Sequence, residues 1–138
     1  EKNETIVCRE IGGVMARMWP AYLHRCHALV FVIDASSVSN ADGASAALHA
    51  LIAHDHLQQK PVIVCLNKVG TTTQADLATL QELLHIDDLV DNWKAGFTLC
   101  HTDAASGAGV ARVLQLARAL HRDPQTSKAL AATATFTP

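Results

Sequence analysis

The sequence has no paired cysteines and no long apolar run. Its four cysteines lie singly along the chain, without a Cys-x-x-Cys pair, which indicates small buried residues in a reducing, cytoplasmic compartment. The longest apolar runs lie around 28–33 and 61–66 and are far too short to cross a bilayer.

The sequence also has little charge. Only 17% of its residues are charged, the net charge is −2, and no stripe of Lys and Arg is visible. Phosphate backbones are bound by clustered cations, so this pattern argues against nucleic acid as a partner. The eight histidines lack the paired spacing of a zinc site. The chain of 138 residues is 49% apolar, enough for one domain with a core that needs neither disulfides nor metals.

Two apolar runs, Ala28–Ile33 and Pro61–Leu66, dominate the hydropathy pattern. Each is continuous, as in strands that helices cover on both faces. The stretch Ala41–His56 between them has helical character, and a strand, a helix and a second strand form a βαβ unit with a parallel sheet.

Further elements follow the same alternation. Thr5–Cys8 reads as a short strand and Gly96–Cys100 as an edge strand. Helical spacing of apolar residues predicts helices over Thr73–Leu84 and Gly109–Leu120. Residues 1–121 therefore form an α/β domain, and residues 122–138, rich in Thr, Ala and Ser, read as a loose tail.

The loops that follow the strands carry three motifs. They are Glu10-Ile-Gly-Gly13, Asn67-Lys-Val-Gly70 and Asp103-Ala-Ala-Ser-Gly-Ala-Gly-Val110. Ligands bind at the carboxyl ends of parallel strands, so these loops form the predicted site.

In order and spacing, the motifs resemble the D-x-G-G, N-K-x-D and C-A-T-S-G-D-G-L elements of Arf-like small GTPases. Arg17, Trp19 and Tyr22, with the strand that ends in Asp34, are similar to flanking segments of the same family. The resemblance covers roughly residues 4 to 120. The departures at Arg9, Glu10 and Val14 are most similar to the Arf-like protein 16 group.

The resemblance implies a partial P-loop NTPase fold of the small GTPase type. Its sheet would be mostly parallel, with helices on both faces, and would lack the first strands. The G-x-x-x-x-G-K-[ST] phosphate-binding loop and the first switch are not in the sequence. The chain is therefore expected to be truncated before the P-loop, and by itself to be marginally stable or prone to aggregate.

The first motif would bind the phosphates and the magnesium. Gly12 and Gly13 would let backbone amides approach the γ-phosphate. Glu10 stands where the family has an Asp that steadies Mg²⁺. Val14 stands where the family has the Gln that orients water, so intrinsic hydrolysis is expected to be weak or absent and no catalytic residue is assigned.

The other motifs would bind the guanine. Asn67 would tie loops together, Lys68 would lie along base and ribose, and Ala104, next to Asp103, would donate its N–H to guanine O6. Gly70 replaces the Asp that accepts two hydrogen bonds from guanine, which puts guanine preference in doubt. The nucleotide-binding residues implied by the resemblance are Gly12, Gly13, Asn67, Lys68, Asp103 and Ala104.

The resemblance thus implies a GTP-binding switch. The parent protein would bind GTP or GDP with Mg²⁺, which this chain alone is not expected to retain. Effector or regulatory proteins would bind the region Gly12–Tyr22. Membrane attachment in the family resides in a segment that would precede Glu1, so these residues do not address it.

Two alternatives stay open. Val14 and Gly70 both alter chemistry rather than packing, which favours a pseudo-GTPase, an interaction module without nucleotide turnover. An unrelated doubly wound domain, such as a flavodoxin or a receiver, is the weaker alternative, because no acidic cluster with a phosphorylatable Asp is apparent.

Overall fold

A computed structural model describes residues 5–122 of the chain, with side chains through residue 119. Three parallel strands form one sheet in the order β1-β2-β3: β1 is Leu29–Asp34, β2 is Val62–Asn67 and β3 is Phe97–Thr102. Leu29 pairs with Val62, and Val62 pairs with Phe97. The parallel α/β fold predicted from the apolar runs is therefore confirmed.

Five α-helices connect and follow the strands. They are α1 (Pro20–Leu23), α2 (Ala41–Ile52), α3 (Gln74–Leu83), α4 (Ile86–Asn92) and α5 (Val110–Arg122). Short 3-10 helices lie at Gly13–Met18, Val38–Asn40, Asp55–Leu57 and Val69–Thr71. The third strand lies at an edge of the sheet, as predicted, and begins one residue after Gly96.

Side chains alternate between the two faces of the sheet. On the first face, Phe31 and Ile33 of β1 pack in the main core with apolar residues of α2, α3 and α4, including Leu48, Leu80 and Ile86. On the second face, the buried cluster consists of Ile63, Cys65, Cys100 and Leu116. Helices therefore pack on both faces, with α5 forming the second layer.

The cover that α5 provides is incomplete over β1. Val30 and Val32 point to the second face and are 40% and 61% exposed. Between β1 and α5 lies a groove of about 180 Å³, the β1–α5 groove. Its apolar lining comes from Val30, Val32, Cys65, Val110, Val113 and Leu114, and it extends to Asn67, Thr102 and Ala104. The continuous apolar run of β1 predicted burial on both sides, and only one side is buried.

The strand predicted at Thr5–Cys8 is wrong. The segment has no strand structure, and its Val7 is 85% exposed. A strand exists only where a neighbour accepts and donates its backbone hydrogen bonds, and no strand pairs with this segment among residues 5–122.

The helix predicted at Ala41–His56 ends at Ile52, and a 3-10 turn follows. Helix α4 was not predicted. The tail proposed from residue 122 lies, beyond Arg122, outside the described residues. No helix in the described part of the chain is both long and apolar enough to cross a membrane.

Candidate functional site

Asn67, at the end of β2, joins the loops after β2 and β3. Its side-chain oxygen accepts hydrogen bonds from the Thr102 hydroxyl (3.1 Å) and from the Ala104 N–H (3.0 Å). The register places Asn67 opposite Thr102, so both groups leave the sheet at the same level. The tie between loops that was expected of Asn67 is present, and the Ala104 N–H donates to Asn67.

Lys68 forms an ion pair with Asp34 across the edge of the sheet. Its Nζ lies 2.6 Å from Asp34 Oδ2, and both side chains are about half exposed. Asp34 Oδ1 also accepts hydrogen bonds from the Ser36 hydroxyl and N–H, which braces the turn after β1. The hydrogen bonds from Lys68 and Ser36 lower the pKa of Asp34 to about 2, so the carboxylate is ionised at neutral pH.

Gly70 and Asp103 approach each other so closely that a side chain at position 70 would have to displace the Asp103 carboxylate. A Cβ on Gly70 would lie 2.5 Å from Asp103 Oδ2, well inside van der Waals contact. Asp103 Oδ1 accepts a hydrogen bond from the Ala105 N–H at 3.1 Å. The Asp103 carboxylate therefore lies against the backbone of the Asn67-Lys-Val-Gly70 loop, in the space that a side chain on residue 70 would enter.

The loop between β3 and α5 is a compact turn. The N–H of Asp103 donates to the Ala108 carbonyl, and the N–H of Gly107 donates to the Asp103 carbonyl, both at 2.9 Å. Gly109 has a φ of 75°, and a Cβ there would lie 2.2 Å from the His101 carbonyl oxygen. Glycine is therefore required at 109 on both conformational and steric grounds.

The last two residues of the first motif, Gly12 and Gly13, begin a segment that runs to Tyr22. The carbonyl of Gly12 accepts a hydrogen bond from Trp19 Nε1 at 3.2 Å, and the Trp19 ring packs edge-on against Phe31 at 5.8 Å. These contacts fix the segment against β1. Gly13 begins the 3-10 helix, and Val14 is fully exposed.

The structure does not link the first motif to the other two. Within residues 5–122, no hydrogen bond or ion pair joins Glu10, Gly12 or Gly13 to the loops after β2 and β3. The same residues contain no group of three or more His, Cys, Asp or Glu side chains that could hold a metal ion. Glu10 is exposed and offers at most one carboxylate to a hydrated Mg²⁺.

Most of the polar contacts among the predicted site residues lie around the loops after β2 and β3. Around the loops after β2 and β3, an ammonium group, an amide and a carboxylate lie close together above the carboxyl ends of the strands. Sequence reasoning missed two features of this group. Both the Lys68–Asp34 ion pair and the contact of Asp103 with Gly70 join residues more than thirty positions apart.

Comparison with known proteins identified a family match and several relatives. The profile of the ADP-ribosylation factor family matches residues 1–119. Human ADP-ribosylation factor-like protein 16 is 29% identical over 117 residues, which cover 85% of this chain and 59% of that protein. Human ADP-ribosylation factor-like protein 4D is 28% identical over 99 residues, covering 70% of this chain and 47% of that protein.

Among solved structures, this chain resembles the crystal structure of a protein described as nucleolar GTP-binding protein 1, from Plasmodium falciparum. The TM-score is 0.55 at 14% identity, over 89% of this chain and 61% of that one, a likeness of fold. The chain spans about two-fifths to three-fifths of the length of the curated relatives that it matches.

Proposed function

The chain belongs to the ADP-ribosylation factor family, and we propose that its parent protein is a GTP-binding switch whose intrinsic hydrolysis is weak or absent. The observation that carries the proposal is the joined pair of loops after β2 and β3. Asn67 holds these loops together through two hydrogen bonds, at the carboxyl ends of the strands where ligands bind in such folds.

Guanine recognition in this proposal depends on Asp103. A protein that recognises guanine must accept hydrogen bonds from the N1–H and N2–H groups of the base. A carboxylate accepts both at once. Gly70 has no side chain, and Asp103 Oδ2 lies against its backbone. Asp103 thus supplies the carboxylate that residue 70 lacks, from the opposite loop.

The proposed weak hydrolysis depends on Val14. Its side chain is fully exposed and can neither donate nor accept a hydrogen bond, so it cannot orient an attacking water. The phosphates and Mg²⁺ would be bound with Gly12, Gly13 and Glu10, together with groups that are not in this chain. Bound Mg²⁺ would neutralise phosphate charge.

The partner-binding face in this proposal is the segment Gly12–Tyr22. It exposes three apolar side chains, Val14, Met15 and Met18, in a protein whose other large apolar residues are mostly buried. Methionine adapts to varied partner surfaces, and clustered exposed apolar residues mark interaction sites. Effector or regulatory proteins would contact this face.

The first experiment measures the nucleotide content of the protein captured from its source cells. The protein is denatured and the released nucleotides are separated by ion exchange. We expect stoichiometric GDP or GTP. An empty protein would contradict the switch and would favour the pseudo-GTPase alternative, which Val14 and Gly70 support, with Gly12–Tyr22 as its interaction surface.

The second experiment tests Asp103 in the same protein. Asp103→Asn is expected to weaken GDP binding, measured by competition against ADP, by roughly 10- to 100-fold, because hydrogen bonds to charged groups contribute about 1.5–3 kcal/mol. The matched control is the double variant Gly70→Asp with Asp103→Ala, which moves the carboxylate to residue 70 and removes the steric conflict. We expect it to recover guanine preference.

The two experiments separate the two claims. If the wild-type protein carries guanine nucleotide and Asp103→Asn leaves the preference unchanged, the role of Asp103 is wrong while the switch stands. If no nucleotide is present at all, the switch itself is wrong.

A further inference from the structure

Two buried cysteines lie side by side in the sheet. Cys65 of β2 is the register partner of Cys100 of β3, and both belong to the apolar cluster beneath α5. Neighbouring strands are ~4.7–4.9 Å apart, which falls within the ~4.4–6.8 Å separation of Cα atoms across disulfides. The register therefore places the two cysteines side by side at a strand spacing that disulfides span.

The two thiols are chemically unequal. The hydrogen bond with Cys65 lowers the pKa of Cys100 against the effect of burial, and the positive charge of Arg112 lowers it further. The same hydrogen bond, together with burial, raises the pKa of Cys65. The thiolate is the reactive form of cysteine, so Cys100 is the nucleophile of the pair and Cys65 the second thiol.

The β1–α5 groove gives a small oxidant a path to Cys65, and Cys100 is the neighbouring member of the pair. Cys65 lines this groove, and the half-exposed Val30 and Val32 form its opposite wall. The groove has a volume of about 180 Å³, several times the ~30 Å³ share of one water molecule in the liquid. A peroxide molecule is scarcely larger than water, so it fits.

We propose that Cys65 and Cys100 form a reversible intramolecular disulfide when the protein meets hydrogen peroxide. The Cys100 thiolate attacks one peroxide oxygen, the O–O bond breaks, and hydroxide leaves while Cys100 becomes a sulfenic acid. Cys65 then attacks that sulfur, the S–O bond breaks, and the proton of Cys65 leaves with the hydroxyl group as water. The two thiols lose two electrons in total, and peroxide gains them.

The cross-link would form just below the candidate site. Cys65 and Cys100 each lie two residues before the pair Asn67 and Thr102, whose side chains hydrogen-bond to each other. The disulfide would therefore hold β2 and β3 together next to the loops that follow them. The inference depends on the register of the sheet and not on nucleotide binding.

The test uses the full chain with Cys8→Ser and Cys26→Ser, which leaves only the two proposed cysteines. Trypsin then releases Cys65 in the peptide 26–68, because the bond between Lys60 and Pro61 resists cleavage, and Cys100 in the peptide 95–112. After peroxide treatment, we expect these peptides to be linked, with an intact mass lower by two hydrogen atoms. Dithiothreitol should reverse both changes.

Two further measurements guard against an effect of the substitutions. In the unsubstituted chain, peroxide should lower the number of thiols that can be alkylated after denaturation by two. In a Cys65→Ser variant, dimedone should trap a sulfenic acid on the peptide 95–112. The proposal is overturned if both thiols stay free, if Cys100 proceeds to sulfinic acid, or if the link joins two molecules.

Discussion

At the scale of single residues, Asn67 holds the loop between β3 and α5 in place through its side-chain oxygen. Asn67→Ala removes the acceptor for the Ala104 N–H and the Thr102 hydroxyl. Leaving polar groups without a partner costs about 1–3 kcal/mol. We expect amide hydrogen exchange in residues 104–109 to accelerate by roughly tenfold or more, measured by mass spectrometry.

The matched control for Asn67 is Asn67→Asp, which keeps an oxygen acceptor at the same place. It should accelerate exchange in the loop far less than Asn67→Ala does. Equal acceleration in the two variants would show that the acceptor oxygen does not hold the loop.

His101 makes stability depend on pH. Burial lowers its pKa below the ordinary value of 6.5, so as the pH falls the unfolded state takes up a proton before the folded state does. The free energy of unfolding should therefore decline as the pH falls below about 6.5, until His101 is protonated in the folded state as well.

The pH effect is checked by chemical denaturation of the wild type and His101→Gln at several pH values between about 8 and 5. His101→Gln should show a shallower decline over this range, because its side chain does not titrate. An unchanged slope would contradict the role of His101.

Much of the site at this scale was predictable, and one part was not. The tie made by Asn67 joins residues 37 positions apart and was expected from the family resemblance, whereas the turn that Asp34 braces is local. The approach of Asp103 to Gly70 depends on the path of two loops in space. No local pattern records that distance, so the sequence showed that residue 70 lacks a side chain but not that Asp103 lies beside it.

At the scale of the elements, α3 begins with a side-chain cap. The Thr73 hydroxyl accepts a hydrogen bond from the Asp76 N–H (3.1 Å) and donates one to the Asp76 carboxylate (2.8 Å). Thr73→Ala should lower the free energy of unfolding by about 0.5–2 kcal/mol, because it removes this N-cap. Urea denaturation measures the change.

The control for Thr73→Ala is Thr79→Ala on the exposed face of the same helix. Alanine is the better helix former in a helix interior, so this change should be neutral or slightly stabilising. Similar losses of stability in the two variants would contradict the role of the cap.

The helices were predicted best where the apolar residues recur with a clear helical period. In the sequence, Thr73 precedes regularly spaced leucines, and in the structure α3 begins at Gln74, the residue after it. Helix α4 has only seven residues, three of them aspartates, which is too short for a period to emerge. Thr5–Cys8 has the composition of a strand, but composition cannot supply a pairing neighbour.

At the scale of the whole molecule, β1 presents an open edge. It pairs with β2 alone among the described residues, and its Val32 is 61% exposed. An open apolar edge pairs readily with other chains, whereas a lysine on the edge discourages such pairing. Val32→Lys should slow aggregation of the chain, followed by light scattering, with little change in thermal midpoint.

Val7→Lys is the matched control, since Val7 is 85% exposed and lies outside any strand. It adds the same charge without altering the edge. If both variants slow aggregation equally, net charge rather than the edge of β1 is responsible. Reversible two-state unfolding with ordinary stability would contradict the expectation that this chain is marginally stable.

The parallel register of the sheet also sets the order in which the chain can fold. Each strand pairs with a segment about thirty residues away along the chain, so neither pair can form before its crossover has been synthesised. At ~5–20 residues per second, β3 leaves the ribosome roughly two to seven seconds after β2. During that interval β2, whose first five residues are all buried in the finished fold, pairs on one side only. The nascent chain thus passes through a stage in which its most apolar strand has one unpaired edge that other chains could contact.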